Sequence, residues 1–190
     1  MTAHADRHQP PLPGPIDAPS YEAALPLVWT PLDQPVGNLR RSQLNDDNLR
    51  VLAAVALLDE TRAAGSSPDD GNALDAEVAR LHQKLNLVID LLGFLVARQG
   101  GEVEPARVRL SWQGVVFAGP QGLGEAGLIS LGLHRSVPQA FTWPARIGHL
   151  DGEERHARFE PFGDALQAAI ERHVFLRHRR AVAGSRRSGG

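Results

Sequence analysis

The sequence predicts an α+β protein, a small antiparallel β-barrel of six or seven strands with a long helix before it and a second helix after it. Two changes in the hydrophobic period predict this fold. Between residues 74 and 95, apolar residues recur every three or four positions, as they do on one face of a helix. Between residues 107 and 160, short apolar runs alternate with glycine-rich turns, which is typical of a small barrel or sandwich. After residue 164 the helical spacing returns.

Composition limits the classes of protein to consider. The 190 residues suit one compact domain with appendages, or two small units, and 42% of them are hydrophobic. A net charge of -2 gives no overall attraction to nucleic acid or to an anionic membrane. The absence of cysteine excludes disulfides, thiolate nucleophiles and cysteine-based zinc sites, and it fits a reducing cytoplasm. The most apolar run, residues 85–96, is too short to span a bilayer, which needs about 20 apolar residues, so we expect no membrane insertion.

The first third of the chain divides into four parts by composition. Residues 1–24 are rich in proline and predict a disordered or extended arm. Residues 25–63 predict a short extended segment, laid against a partner or the main domain, followed by a helix over 42–63 with Ser42 as a possible N-cap. Residues 64–72 are rich in glycine, serine and aspartate and predict a linker.

Residues 73–100, which we call the heptad segment, predict a long helix. Its apolar residues follow the 4-3 spacing of a coiled-coil seam, so they form one stripe for a partner helix. Beside this seam the C-terminal half also carries Ile89, Leu91 and Val96, a face too broad for a two-stranded coiled coil. We expect a homo-oligomer, a tetramer being favoured; the alternative is a core helix of a monomer. The seam residues are Leu74, Val78, Leu81, Leu85, Val88, Leu92 and Leu95.

Residues 103–183 predict the barrel and its C-terminal helix. Glycine-containing turns separate five strand candidates, at 107–111, 115–117, 127–133, 142–147 and 155–160. The chain then returns to helix over 164–183, with Leu166, Ile170, Val174 and Phe175 expected to face inward. Residues 184–190 predict a disordered tail.

One strand and turn resembles a known family. Arg-Leu-Ser-Trp-Gln-Gly at residues 109–114, followed by Val-Val-Phe, is similar to the Asp/Asn-x-Ser-x-x-Gly strand and turn of PilZ domains. Gly-Leu-Ile-Ser-Leu at 127–131, the closing Arg-Phe-Glu strand and the arginine-rich last helix also resemble PilZ sequences. The likeness covers residues 103–183. The heptad segment resembles that of a branch of the family, found in plant-pathogenic bacteria, that assembles as a tetramer through such a helix.

This resemblance implies a PilZ-type barrel and a role in cyclic-di-GMP signalling. It also implies a ligand site, and the candidate residues are Arg107, Arg109, Ser111 and Gly114. Ser111 and Gly114 match the family motif, but Arg109 stands where the family has Asp or Asn, and no Arg-x-x-x-Arg motif exists in the chain. Arginine cannot accept a hydrogen bond from a guanine edge. Direct binding of cyclic-di-GMP is therefore expected to be weak or lost, while a true receptor with an altered pocket remains the alternative.

Other chemistry finds less support in the sequence. The eight histidines have no known metal-ligand spacing, and Ser111 has no neighbouring His and Asp that predict a nucleophile. Six arginines follow Glu171, and they can either bind nucleic acid or offset the charge of a helix C-terminus; we favour the second.

We expect a cytoplasmic adaptor that is not an enzyme and needs no cofactor or metal. The resemblance implies protein partners in pilus, flagellar or virulence regulation, and nucleic acid is an unlikely partner.

Overall fold

The computed structural model describes residues 16–64, 78, 81, 84–85, 88–89, 103–119 and 122–187. Within these residues the chain forms six strands and two helices outside the heptad segment. In chain order they are β1 (Ser20–Pro31), α1 (Asn38–Ala64), β2 (Pro105–Ser111), β3 (Gly114–Ala118), β4 (Ala126–Leu131), β5 (Phe141–Asp151), β6 (Glu154–Phe159) and α2 (Asp164–Arg187).

The six strands form one closed antiparallel barrel in the order β1-β2-β3-β6-β5-β4. β1 closes it, because its first half pairs with β2 and its second half pairs with β4. The closed barrel, with one helix between β1 and β2 and another after β6, confirms the predicted α+β fold class.

The first barrel strand lies where the sequence predicted an arm. β1 begins at Ser20, whereas the arm was expected to reach residue 24 and the barrel to start at residue 103. Tyr21 and Leu25 are buried in the core although prolines surround them. Pro26 faces Pro105 where β1 changes from β2 to β4, so a residue without an N–H is tolerated at that point. The extended segment expected from residue 25 is the second half of this strand.

The barrel interior is a close-packed apolar core. Alternate residues of each strand point inward, as the period of two requires. The Trp143 indole N–H donates to the backbone oxygen of Glu160 over 2.8 Å, so this large buried side chain has its one polar atom satisfied. The largest fully buried side chains of the barrel are those of Trp143, Phe141, Leu110, Ile129 and Leu131.

β5 is longer than the sequence predicted. The predicted strand ended at residue 147, but residue 148 lies at a bulge where the register shifts between Ile147 and His149, and the strand continues to Asp151. The turn itself is at Gly152, whose φ of 59° is a left-handed conformation that favours glycine.

The helix α1 packs on the outside of the barrel and begins earlier than expected. Asn38 starts it, and the Arg41 N–H donates to the Gly37 oxygen over 2.9 Å, so Ser42 is inside the helix and is not its cap. Asn48 is buried and binds the Thr142 backbone with both ends of its amide: Nδ2 donates to the oxygen over 2.8 Å, and Oδ1 accepts from the N–H over 2.9 Å. This amide fixes α1 against β5.

The helix α2 buries Leu166, Ile170 and Val174, as predicted, but leaves Phe175 55% exposed. One residue turns a helix by about 100°, so Phe175 cannot share the inward face of Val174. The helix continues to Arg187, beyond the end predicted at residue 183. No described helix is both long and apolar enough to cross a membrane.

Only part of the heptad segment lies within the described residues. Val78, Leu81, Leu85 and Val88 are helical there, as predicted. Leu74, Leu92 and Leu95 lie outside the described residues, as do residues 1–15 of the predicted arm and residues 65–72 of the predicted linker.

Candidate functional site

The four residues predicted from the family motif lie together on the outer face of the β2–β3 hairpin. Arg107, Arg109 and Ser111 occupy alternate positions of β2, and Gly114 opens β3 directly opposite Ser111. The intervening residues, Val108 and Leu110, point into the core. The structure therefore places the predicted residues on one face of the hairpin, where Ser111 and Gly114 are buried.

The side-chain hydroxyl of Ser111 is hydrogen-bonded within the turn that follows it. Its side chain is fully buried, and its Oγ donates to the Gly114 oxygen over 3.1 Å. The same Oγ accepts the N–H groups of Gln113 and Gly114, each over 3.1 Å. A hydroxyl has one donor and two acceptor sites, so all three are filled by the hairpin itself.

Gly114 is required by a close approach of backbone. A Cβ atom at this position would lie 2.2 Å from the Ala157 oxygen and 2.8 Å from the Arg158 Cα, both in the neighbouring strand β6. It would also lie 2.9 Å from the Ile16 Cδ1. Glycine thus lets both β6 and the chain before β1 pack against the turn.

The short segment before β1 covers this part of the barrel. The Ile16 N–H donates to the His156 Nδ1 over 3.4 Å, from 140 residues away in the chain. His156 and Val116 face each other on β6 and β3, and both are buried although they belong to the outer face. Sequence analysis missed this contact, because Ile16 lay in the predicted arm.

Acidic residues of neighbouring strands lie beside the two β2 arginines. The Arg107 Nη2 lies 2.6 Å from the Glu22 Oε2 on β1, and this hydrogen bond holds the pKa of the Glu22 carboxyl below its usual value. The Arg109 Nη2 lies 3.9 Å from the Glu154 Oε2 on β6. Neither acid was a candidate from the sequence, because each meets its arginine only through strand pairing.

A second arginine pair continues the same face. Arg146 of β5 and Arg158 of β6 stand directly opposite each other, and Arg158 also faces Gly114. The Arg158 Nη1 donates to the Gln113 Oε1 over 3.3 Å, and the Arg146 Nη2 lies 3.9 Å from the Glu125 Oε2. Directly opposed like charges are unfavourable in a sheet, and each guanidinium group of this pair has a polar partner from a neighbouring loop.

The arginines of α2 hold the two helices together. The Asp59 carboxylate of α1 lies 3.2 Å from the Arg177 Nη2 and 3.0 Å from the Arg180 Nη1. The Glu60 Oε1 lies 3.6 Å from the Arg172 Nη2. Three of the six arginines that raised the question of nucleic acid are therefore in ion pairs with α1.

Metal binding finds no geometric support in the part of the chain that is described. Among those residues, no group of three or more His, Asp or Glu side chains is placed to hold a metal ion. The hairpin face offers guanidinium groups, which suit phosphate or carboxylate ligands.

A family model for the atypical PilZ domain, described as a cyclic-di-GMP receptor, matches residues 50–187 of the sequence. This chain belongs to the atypical PilZ family. The match includes the β2–β3 hairpin, the heptad segment, α2 and the second half of α1, but it begins after β1.

A solved PilZ structure is similar to this atypical PilZ chain over most of its length. It is a pathogenic protein from Xanthomonas campestris, described as a tetrameric PilZ domain that self-assembles through an unusual helical bundle. The two are 26% identical, with a TM-score of 0.60, and the alignment covers 88% of this chain and 91% of the other. A comparison with curated proteins finds no significant match.

Proposed function

We propose that this atypical PilZ protein is a signalling adaptor of bacterial cyclic-di-GMP pathways, without enzymatic activity, that assembles through its heptad segment and binds the nucleotide weakly or not at all. The occupied hydroxyl of Ser111 carries this proposal. A side chain that is buried and spends its donor and both acceptor sites on its own turn has no hydrogen-bonding capacity left for a ligand.

The neighbouring residues support the same conclusion. Arg109 cannot accept a hydrogen bond from guanine, and Arg107 is already hydrogen-bonded to Glu22. Ile16 covers the turn at Gly114. Each lost charged contact costs about 1.5–3 kcal/mol, so the loss of three is enough to move micromolar binding beyond the millimolar range, a step of about 4.1 kcal/mol.

Assembly is supported by the apolar stripe of the heptad segment. The seam residues Val78, Leu81, Leu85 and Val88 are 42%, 56%, 57% and 50% exposed in a single copy. Four exposed aliphatic side chains at coiled-coil spacing favour a partner helix. The tetramer of the Xanthomonas relative makes a second copy of the same chain the natural partner, and four copies the number to test first.

The proposed partners follow from the family. An adaptor that has kept the barrel but lost the ligand would act in the cytoplasm through protein contacts, in the pilus, flagellar or virulence systems that cyclic-di-GMP regulates. Multiplying the barrel in an oligomer would raise its avidity for such partners.

A second candidate function is direct reception of cyclic-di-GMP in an altered pocket. Its specific support is the pair Arg146 and Arg158 beside Gly114, since two guanidinium groups suit a ligand with two phosphates. The family description as a receptor favours it too.

Calorimetric titration with cyclic-di-GMP separates the two candidates. The adaptor predicts no saturable heat at ligand concentrations up to about 1 mM, where the binding free energy is only about -4 kcal/mol, and an unchanged melting temperature. Micromolar binding that Arg109→Ala abolishes, and that Arg50→Ala on the exposed side of α1 leaves intact, would establish the receptor instead.

A further inference from the structure

The outward face of α2 carries apolar side chains and arginines in alternation. Phe175, Leu176 and Val182 are 55%, 36% and 39% exposed. Arg172 and Arg179 are also exposed, and they are seven residues apart, as are Phe175 and Val182. Seven residues make about two helical turns, so these five side chains share one side of α2, opposite the face that packs on the barrel. We call these five residues the α2 stripe.

The α2 stripe concentrates exposed apolar surface. Of the described residues outside the heptad segment, seven large hydrophobic side chains are exposed, and three of them lie within the eight residues from Phe175 to Val182. Exposed apolar residues that are scattered singly are ordinary on a protein surface, whereas a contiguous patch marks an interaction surface. The apolar side of α2 is therefore a candidate contact for another molecule.

Arg179 is an arginine that the fold itself does not use. Three other arginines of α2 pair with acids of α1, but among the described residues no carboxylate is in ion-pair contact with Arg179. It also lies eight residues before the end of α2 at Arg187, whereas the helix dipole acts within the last turn. Neither pairing within the chain nor the dipole accounts for this charge.

Arg179 and Phe175 contact each other at the surface. The guanidinium carbon of Arg179 lies over the Phe175 ring, 5.7 Å from its centroid. Such a cation–π contact orders both side chains before a partner arrives, which reduces the entropy that binding would cost. Aromatic residues and arginine are enriched at protein interfaces and carry much of their binding energy, so this pair has the composition of an interface centre.

We propose that the α2 stripe binds an acidic amphipathic helix of a partner protein. This inference rests on the proposed adaptor function and names the class of partner. The apolar face of such a helix would cover Phe175, Leu176 and Val182, and an Asp or Glu beside that face would bind the guanidinium group of Arg179. The seven-residue repeat of the stripe matches the period at which a helix lying alongside presents its own side chains.

The order of residues along the stripe favours protein over lipid or nucleic acid. Helices that lie on a membrane separate their arginines from their apolar residues, whereas Arg179 lies between Phe175 and Val182. Nucleic acid would meet the arginines through its phosphates but would leave the three apolar side chains without an apolar partner. A carboxylate beside an apolar helix face complements both parts of the stripe.

Selection from a displayed peptide library tests the proposal without knowledge of the natural partner. Peptides of about 20 residues, long enough for a helix of about 30 Å, carry leucine along one face and random Asp, Glu, Lys or Ser beside it. The full-length protein is the bait, and a Phe175→Ser, Arg179→Ser double variant removes peptides that bind elsewhere. We expect the retained peptides to be enriched in Asp and Glu. Enrichment of Lys or Ser, or no peptide that distinguishes the two baits, overturns the proposal.

Titration of a selected, fluorescently labelled peptide assigns the residues. Phe175→Ala and Arg179→Glu should each weaken binding about tenfold or more. A peptide with Lys in place of its acids should bind Arg179→Glu more tightly than it binds the unchanged protein. Arg40→Glu is the control: it reverses an exposed charge in the first turn of α1, where an acid suits a helix, about 30 Å along α1 from Asp59. A loss in the control as large as in Arg179→Glu overturns the assignment.

Further measurements on the same variants keep the other occupants distinct. A smaller mass by light scattering for Phe175→Ala or Arg179→Glu would make the stripe a contact between copies. Binding of random DNA duplex, or of phosphatidylserine–phosphatidylcholine vesicles, that these variants abolish would assign the stripe to nucleic acid or to a membrane. Each of these results overturns the acidic helix as occupant.

The proposed function fails by a different measurement. Micromolar binding of cyclic-di-GMP in the calorimetric titration refutes the adaptor that has lost its ligand, and peptide recognition by the α2 stripe is read separately. Failure of the peptide selection, with no nucleotide binding, refutes the docking site and leaves the adaptor function standing.

Discussion

The Tyr21 hydroxyl oxygen lies 2.9 Å from the His173 Nε2, so a hydrogen bond joins the first strand of the barrel to its last helix. Both residues are buried, and their rings meet edge to face with centroids 5.8 Å apart. Burial raises the pKa of the Tyr21 hydroxyl, which therefore stays protonated and can donate to a neutral His173.

Tyr21→Phe should destabilise the fold by about 1–3 kcal/mol, because it leaves a buried imidazole nitrogen without its donor. Urea unfolding measures this as a lower midpoint with an unchanged slope. Thr30→Val, at an exposed position of the same strand, is the control and should change stability by less than about 0.5 kcal/mol. Equal effects of the two variants would refute a structural role for the hydrogen bond.

Stability should fall with acidity through His173. Burial, reinforced by Arg177 and Arg180 and opposed by Asp59, lowers the pKa of His173 to about 4. The unfolded chain binds this proton near pH 6.5, so the contribution is complete above that pH and is lost as the pH falls towards 4. The free energy of unfolding should drop by up to about 1.4 kcal/mol per pH unit in that window. His173→Gln should flatten the slope, and an unchanged slope would contradict the assignment.

Gly114→Ala should destabilise the barrel by about 1–3 kcal/mol or more, because the new methyl group collides with the β6 backbone. Gly37→Ala is the matched control: nothing lies within 4 Å of a Cβ there, and its φ is not in the left-handed range. Thermal unfolding of both variants should therefore show a large loss for the first and almost none for the second. Similar losses would mean that the close approach at residue 114 is unimportant.

Asp59→Asn should loosen α2 from α1. The Asp59 side chain is only 14% exposed, and its loss of charge leaves the half-buried Arg177 without its counter-ion. We expect a loss of about 2–4 kcal/mol, towards the range for breaking a buried pair. Asp47→Asn breaks the exposed pair with Arg50 and should cost less than about 1 kcal/mol. Denaturant midpoints of the two variants, measured together, should show the larger loss of stability for Asp59→Asn. Equal midpoints would contradict the role of Asp59.

Leu85→Asp combined with Leu92→Asp should dissociate the proposed oligomer, because charges buried in a seam without partners are costly. Light scattering should report the mass of one chain, 20.5 kDa. Lys84→Ala, next to the seam but outside it, should leave the mass of the assembly unchanged. If the double variant keeps that mass, the seam is not the contact.

The sequence was sufficient for most of the barrel but not for its first strand. From residue 107 onward short apolar runs are separated by glycine turns, so these strands were easy to recognise. β1 has prolines at residues 26 and 31, and it pairs with strands more than 70 positions away. Only tertiary pairing makes Tyr21 and Leu25 core residues, and no local pattern carries that information.

At the candidate site, too, the sequence predicted the motif residues but not the distant residues that contact them. The motif led to Arg107, Arg109, Ser111 and Gly114, which do share one face of the hairpin. It could not reveal that Ile16 covers the turn or that Glu22 meets Arg107, because these contacts cross 140 and 85 positions of sequence. Whether a ligand can reach this face depends on residues that are distant in the sequence, such as Ile16 and Glu22. Their positions follow only from the tertiary structure.

The position of β1 ahead of the family match affects how the protein can be shortened. A fragment that began at residue 50 would contain the whole match and would still lack the strand that joins β2 to β4. The barrel would then be an open five-stranded sheet, with a row of unsatisfied N–H and C=O groups along each of two edges. Such edges recruit other strands, so the fragment would tend to aggregate. Solubility of the barrel depends on residues that a family-based boundary would discard.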